Sequence, residues 1–227
     1  LLVTGVQTCA LPIYMKTRKI RTALYNVLPG EKAHALMAPR PKYIEGIEGV
    51  HPCPPVNSAI LALIVPFENE LALPLIKRVN RGKYHGGQIA FPGGKMEKED
   101  ADALQTALRE CHEEIGVPEE KVSILGVLSD IYIPLSNFNI TPIVGTTLQL
   151  PDFILSQDEV EKVILVKLRD LFDDRNKTTH SFVRHDHKII APGYKIGENF
   201  IWGATAMIIA ELEQLMKTNT FNHLGKL

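Results

Sequence analysis

The stretch 91–117, FPGGKMEKEDADALQTALRECHEEIGV, limits the fold more than any other part of the chain. A glycine pair opens it, a glycine closes it, and between them Leu104, Ala107, Leu108, Cys111 and Ile115 recur at helical spacing. That spacing predicts an amphipathic helix whose apolar stripe faces a core. Asp100 is the expected N-cap, and Gly116 suits the left-handed backbone just past a helix end. At roughly 100° per residue, Glu110, Glu113 and Glu114 share a face away from the stripe. Three carboxylates within two turns repel one another, so this face calls for positive charge. A hard divalent cation such as Mg²⁺ would supply it, because such ions take oxygen ligands and bridge to phosphates. Arg109 lies four residues before Glu113 and can pair with it, orienting the carboxylate. On its own, such a cluster reads more simply as a solvated acidic face.

The order of residues changes that balance. RECHEEIGV at 109–117 resembles the second half of the Nudix box, which marks hydrolases that cleave nucleoside diphosphates linked to another group. The first half departs from it. One residue is inserted between the glycine loop and Arg109, so the usual spaced Glu falls at Ala101, and Glu97, Glu99 or Asp100 takes its place. The resemblance implies an α/β/α sandwich with a mixed central sheet and the box helix against it. It also implies that Glu110, Glu113 and Glu114 hold one or more Mg²⁺ or Mn²⁺ ions, with the Gly94 carbonyl as a further ligand. Arg109 and Glu113 then belong to the catalytic set. Related enzymes often use a downstream Glu as base or extra ligand, and Glu159 is the first candidate. Its plain reading is a helix-start acid favoured by the dipole.

The segment before the box is more specific. Leu75, Ile76, Lys77 and Arg78, then Lys83, Gly87 and FPGG at 91–94, resemble the pattern of Nudix enzymes that hydrolyse coenzyme A. Val79 stands where that pattern has Ser or Ala, and Lys83 where it has a second Arg. Lys keeps the charge but loses the bidentate fork. The inserted residue in the box also occurs in that family, and IWGATA at 201–206 resembles its closing helix. Arg78, Lys83 and Gly93 are therefore the expected substrate contacts, against the plain reading of a solvated basic rim. The implied reaction splits the pyrophosphate of coenzyme A to 3′,5′-ADP and 4′-phosphopantetheine, through a metal-activated water attacking in line. The rivals are a Nudix pyrophosphatase for ADP-ribose or another nucleoside diphosphate derivative, and a non-catalytic nucleotide sensor. A sensor has no need of an intact Arg109, Glu110, Glu113 and Glu114.

Composition sets the outer bounds. At 227 residues the chain can bury one substantial core. A net charge of −1 argues against a general nucleic-acid or membrane-surface binder. Three scattered cysteines suggest a reducing compartment, so a cytoplasmic location is expected. A homodimer is left open. Residues 3–13, VTGVQTCALPI, are similar to a translated sequencing-library adaptor, so 1–14 are set apart from the fold. Residues 15–55 then form a helical arm, broken at Pro29 and Gly30, with a proline-rich connector. Residues 56–227 form the single Nudix domain.

Within that domain, 59–66 reads as a buried strand. After a turn at 68–70, 71–79 reads as its hairpin partner, with Pro74 favouring an edge or bulge. Strands are also expected near 122–128, 140–150 and 163–166, with a helical turn at 168–172. A hairpin at 180–190 has His185 and His187 near its tip. Residues 201–216 read as a terminal helix with Trp202, Ala206, Ile209 and Leu212 inward.

Overall fold

The computed structural model describes residues 7–40, 53–80, 87–184 and 187–220. The fold is organised around strand β1 (Val56–Phe67), which contains the apolar run expected at 59–66. Its residues Ala59, Leu61, Leu63 and Val65 pack on one side, while Ala62 and Ile64 pack on the other, all fully buried. A strand covered on both faces needs a layer on each side. Helix α3 (Ala103–Ile115) supplies one through Ala107, Leu108, Cys111 and Ile115. Helices α1 (Gln7–Leu24) and α5 (Gly203–Thr220) supply the other, with the short α2 (Glu31–Met37) packed on α5. The sandwich expected from the box is therefore present.

Glu68 and Asn69 make the turn out of β1 at φ 48° and 63°. This is the hairpin geometry whose twist matches that of strands, and Asn tolerates it well. It leads to β2 (Glu70–Arg78), then β3 (Ile89–Ala90) and β4 (Gly93–Lys95). β1 and β2 stay paired only from Phe67–Glu70 to Val65–Ala72. Beyond that they part. β3 takes over the exposed side of β2 at Ile76 and Lys77, and β4 takes over that of β1 at Ser58 to Ile60. Pro74 falls between those two ladders, so β2 is an interior strand rather than an edge, its bulge comes at Lys77 and Arg78 rather than at the proline, and Pro74 sits where that side has no ladder. The expected glycine loop at 93–94 is likewise a short strand.

After α3 the chain makes β5 (Ser123–Val127), β6 (Ile131–Ile133) and β7 (Phe138–Thr146), then β8 (Val160–Lys167) and α4 (Leu168–Leu171). β1 and β7 run parallel, and every other ladder of this eight-stranded sheet is antiparallel. A separate three-stranded sheet follows: β9 (Lys177–Arg184), β10 (His187–Ile196) and β11 (Asn199–Trp202). It extends the expected hairpin by a strand. Trp202 is consequently the last residue of a strand, not part of the closing helix, and Gly203 makes the junction at φ 65°. Ala206, Ile209 and Leu212 do face inward. His185 and the tip around it lie outside the described residues. Among the described residues, no helix is long and apolar enough to cross a membrane.

Buried polar groups on α5 are matched. Glu211 accepts from Gly30 N–H at 3.0 Å and from the Ser129 hydroxyl at 2.6 Å, and its other oxygen lies 2.9 Å from His34 Nε2. That set ties α2 and the β5–β6 connection to α5.

Candidate active site

The box helix begins two residues later than expected. Asp102 is the N-cap, accepting from Gln105 N–H at 2.9 Å, while Gln105 Oε1 reaches back to Ala101 N–H. This is a near-reciprocal capping arrangement. Gly116 ends the helix at φ 72°, with its N–H on the His112 carbonyl. Asp100 is thereby free for a different task. It is buried and grips Arg109 with both oxygens, at 2.9 Å from Nε and 2.9 Å from Nη2. It also accepts from the Thr106 hydroxyl and from Glu97 N–H. Asp100, not Glu97 or Glu99, fills the position of the displaced acid. The Arg109 fork holds its carboxyl well below the usual range, and Asp100 in turn raises the guanidinium.

All five donors of Arg109 are engaged. Besides Asp100, Nη1 donates to Glu110 Oε1 and Glu113 Oε2, each at 3.0 Å, and Nη2 donates to the Lys95 carbonyl at 3.2 Å. The expected Arg109–Glu113 pair is present and is one part of a larger joint between α3 and β4.

The three box glutamates do not share one environment. Glu113 is exposed and turned to Arg109. Glu110 is largely covered, and burial raises its carboxyl above the ordinary value despite Arg109. Glu114 is 1% exposed, which corrects its expected place on an open acidic face. Its Oε2 accepts from Gly93 N–H at 2.9 Å. Its Oε1 forms an ion pair with Arg78 Nη2 at 2.9 Å, and the same nitrogen donates to the Gly93 carbonyl at 2.8 Å. Oε1 has this charge beside it but no hydrogen bond aligned on it, and burial pushes the Glu114 carboxyl up to about 7.

β4 lies directly on these acids. A Cβ on Gly94 would sit 2.4 Å from Glu110 Oε1, so only glycine lets the strand rest on that carboxylate. A Gly94→Ala variant should force Glu110 aside and lower kcat by about 10- to 100-fold with little change in the far-ultraviolet circular dichroism. Steady-state kinetics on the folded variant checks this.

Glu159 reaches the same place by a loop. The carbonyls of Glu114 and Ile115 at the end of α3 accept from Ser156 and Ile154 N–H, and the Glu159 carbonyl accepts from Val79 N–H at the end of β2. The exposed Glu159 side chain is close enough that its charge raises both Glu110 and Glu114. Lys83 lies outside the described residues.

Among the described residues, no three His, Cys, Asp or Glu side chains converge as a ready-made cage. The donor chemistry nevertheless fits a hard divalent cation: a buried oxygen on Glu114 without a hydrogen bond, and a desolvated Glu110 under the Gly94 backbone. Cys111 is buried on the opposite stripe and its thiol is pushed up to about 12, so it plays no part as a nucleophile.

One feature near the site was not legible as a unit. A cavity of about 500 Å³ opens beside Arg78 and Gly94 and runs between the large sheet and the three-stranded sheet. Tyr132, Phe138, Phe182 and Trp202 line it. They come from four separate strands, so no local pattern gathers them.

The NUDIX domain family model matches residues 57–185. A Nudix hydrolase named NudL from Enterobacter sp. (strain 638), itself uncharacterized, is 34% identical over 161 residues, covering 69% of this chain and 82% of that one. Its namesake from Pectobacterium atrosepticum is 35% identical over 158 residues, covering 69% and 80%. A solved MutT protein from Methanosarcina mazei Go1 overlays with a TM-score of 0.49 at 18% identity, over 75% of this chain and 99% of that one. The match to the family model spans more than half the chain and carries the box onto α3, so this chain belongs to the Nudix family and is a pyrophosphohydrolase.

Proposed function

We propose that this enzyme hydrolyses the pyrophosphate of coenzyme A or its derivatives, giving 3′,5′-ADP and 4′-phosphopantetheine or its acyl form. The observation that carries the reading is the wiring of Arg78. This residue belongs to the coenzyme A-type segment ahead of the box, and its guanidinium bridges Glu114 of the box and the Gly93 carbonyl. That contact supports a single site built from the segment ahead of the box and the box helix.

Enzymes of this family generally need divalent metal ions. Here Glu110 and Glu114 would hold the ion, with Glu113 and the Gly94 carbonyl as further ligands; once bound it neutralises phosphate oxygens and acidifies a water. The protein's own groups set the stage. Arg109 fixes Glu110 and Glu113 relative to β4. Gly93 N–H and Arg78 fix Glu114. Glu159 stands at the rim as the carboxylate able to take a proton from the attacking water.

The test is to incubate the full chain with coenzyme A, dephospho-coenzyme A and ADP-ribose, each with Mg²⁺ or Mn²⁺, and resolve products by chromatography. Coenzyme A should give the two stated products, with ADP-ribose at least ~10-fold lower in kcat/KM. A preference for ADP-ribose would overturn the assignment. Lys83 has its own expected outcome. Lys83→Ala should raise KM for coenzyme A about fivefold, corresponding to about 1 kcal/mol for a partly exposed ion pair. It should affect dephospho-coenzyme A much less, because that substrate lacks the 3′-phosphate. Equal losses on both would move Lys83 to the pyrophosphate.

A further inference from the structure

The positive charge around the hydrolytic centre is already spoken for by the protein. Asp100, Glu110, Glu113 and Glu114 gather there, and two guanidinium groups answer them. Arg109 gives all its donors to Asp100, Glu110, Glu113 and the Lys95 carbonyl. Arg78 spends Nη2 on Glu114 and the Gly93 carbonyl. A diphosphate brings more negative charge to this acidic place. A bound cation meets part of it, but shares its own charge with the glutamates that hold it. The substrate therefore calls for a protein cation that no carboxylate has claimed.

Lys95 has that character. It is the last residue of β4, next to Gly94. Side chains alternate across a strand, and a Cβ on Gly94 would point at Glu110. The Lys95 side chain accordingly leaves β4 on the other face, where it lines the cavity beside Arg78 and Gly94. Arg78 and Lys95 are the charged residues of the described cavity wall. The backbone of Lys95 is fixed twice, by its register with Ser58 and by its carbonyl, which accepts from Arg109 Nη2 at 3.2 Å. Its side chain is exposed and has no ion-pair partner among the described residues. Only that side chain has to be ordered when a ligand arrives.

We propose that the Lys95 ammonium contacts the diphosphate of the substrate from the cavity side of β4, opposite the carboxylates of the box helix. It acts as a point charge without the fork of an arginine. It therefore answers to the diphosphate linkage and not to the groups on either end of it. The proposal rests on pyrophosphohydrolase activity and is independent of whether coenzyme A is the preferred substrate. The charge on the diphosphate is present before reaction begins, so the contact serves binding more than the chemical step, and its loss falls on KM rather than kcat.

Lys95→Met keeps the aliphatic stem and removes the charge, and Lys95→Arg restores a charge. KM and kcat are measured for coenzyme A, dephospho-coenzyme A and ADP-ribose. The inhibition constant of α,β-methylene-ADP, whose P–C–P bridge is not hydrolysed, is measured against whichever of them is turned over fastest. Lys95→Met should raise KM about tenfold on every substrate that is turned over and weaken the analogue to the same extent, while kcat falls less than about threefold. Lys95→Arg should stay within about threefold of the parent throughout. The melting temperature of both variants should match the parent, because the side chain is exposed. Unchanged KM and inhibition constant in Lys95→Met overturn the proposal. So does a loss confined to coenzyme A, which would place Lys95 on the 3′-phosphate, and so does a fall in kcat alone. A uniform loss with ADP-ribose as the best substrate would uphold the role of Lys95 and sink the coenzyme A assignment instead.

Discussion

Glu114→Gln should lower kcat by about 10³ while the folded protein holds or gains stability. The loss follows from removing a charge that faces the reacting phosphates: metal-centred stabilisation contributes several kcal/mol, and each 1.36 kcal/mol is tenfold in rate. The stability follows from burial. Glu114 is pushed to about 7, above its ordinary 4.5, so the folded state keeps a proton that the unfolded chain releases between those values. Stability of the metal-free protein should therefore fall as pH rises from about 4.5 to about 7, by roughly 3 kcal/mol from this residue. The Gln variant should lack that slope, which thermal melts across the pH range will display. Metal affinity of the parent should weaken as pH drops below about 7, because the proton competes with the ion. Near-parental turnover in Glu114→Gln would remove this residue from the metal site.

Asp100→Ala should be the most destabilising single change in the box. It strips the partner from two donors of Arg109 and the acceptor from Thr106 and Glu97 N–H. Leaving those groups unpaired in a covered site should cost about 3 kcal/mol, or a fall in Tm of about 6–12 °C. Activity should drop as well, because an unanchored Arg109 no longer positions Glu110 and Glu113. Since Arg109 depresses the Asp100 carboxyl, its contribution is present above about pH 4 and is lost on acidification. A melting temperature within about 2 °C of the parent would show that another acid anchors Arg109.

The helix, its apolar stripe and its glycine stop could be read directly because each is a local pattern. The same pattern also held information that the notion of an acidic face obscured. Glu114 is three residues past Cys111 and seven past Ala107, so it borders the buried stripe, and β4 covers it. Asp102 followed by Gln105 is capping-box spacing, and it frees Asp100 for Arg109. That second role comes from where β4 and Lys95 sit, which depends on pairing with β1. Pro74 reads as an edge signal, yet the partner of β2 changes from β1 to β3 across it, and only the assembled sheet reveals that gap. Trp202 continues an apolar run into α5, so helical spacing absorbs it. The boundary at Gly203 depends on a positive φ that many glycines do not use. The aromatic cavity wall needed the tertiary fold altogether.

The parting of β1 and β2 bears on how the molecule assembles. Their hairpin is local and can form early, but β4 can dock only on the part of β1 that the hairpin leaves unpaired. That part is held in place on its other side by β7, in the parallel ladder that begins with Val56 and Phe138. Such distant, parallel pairings are slow to close. Gly93 and Gly94 reach Glu114 and Glu110 only once this ladder exists, so a partly folded chain carries the whole box motif and still has no active site.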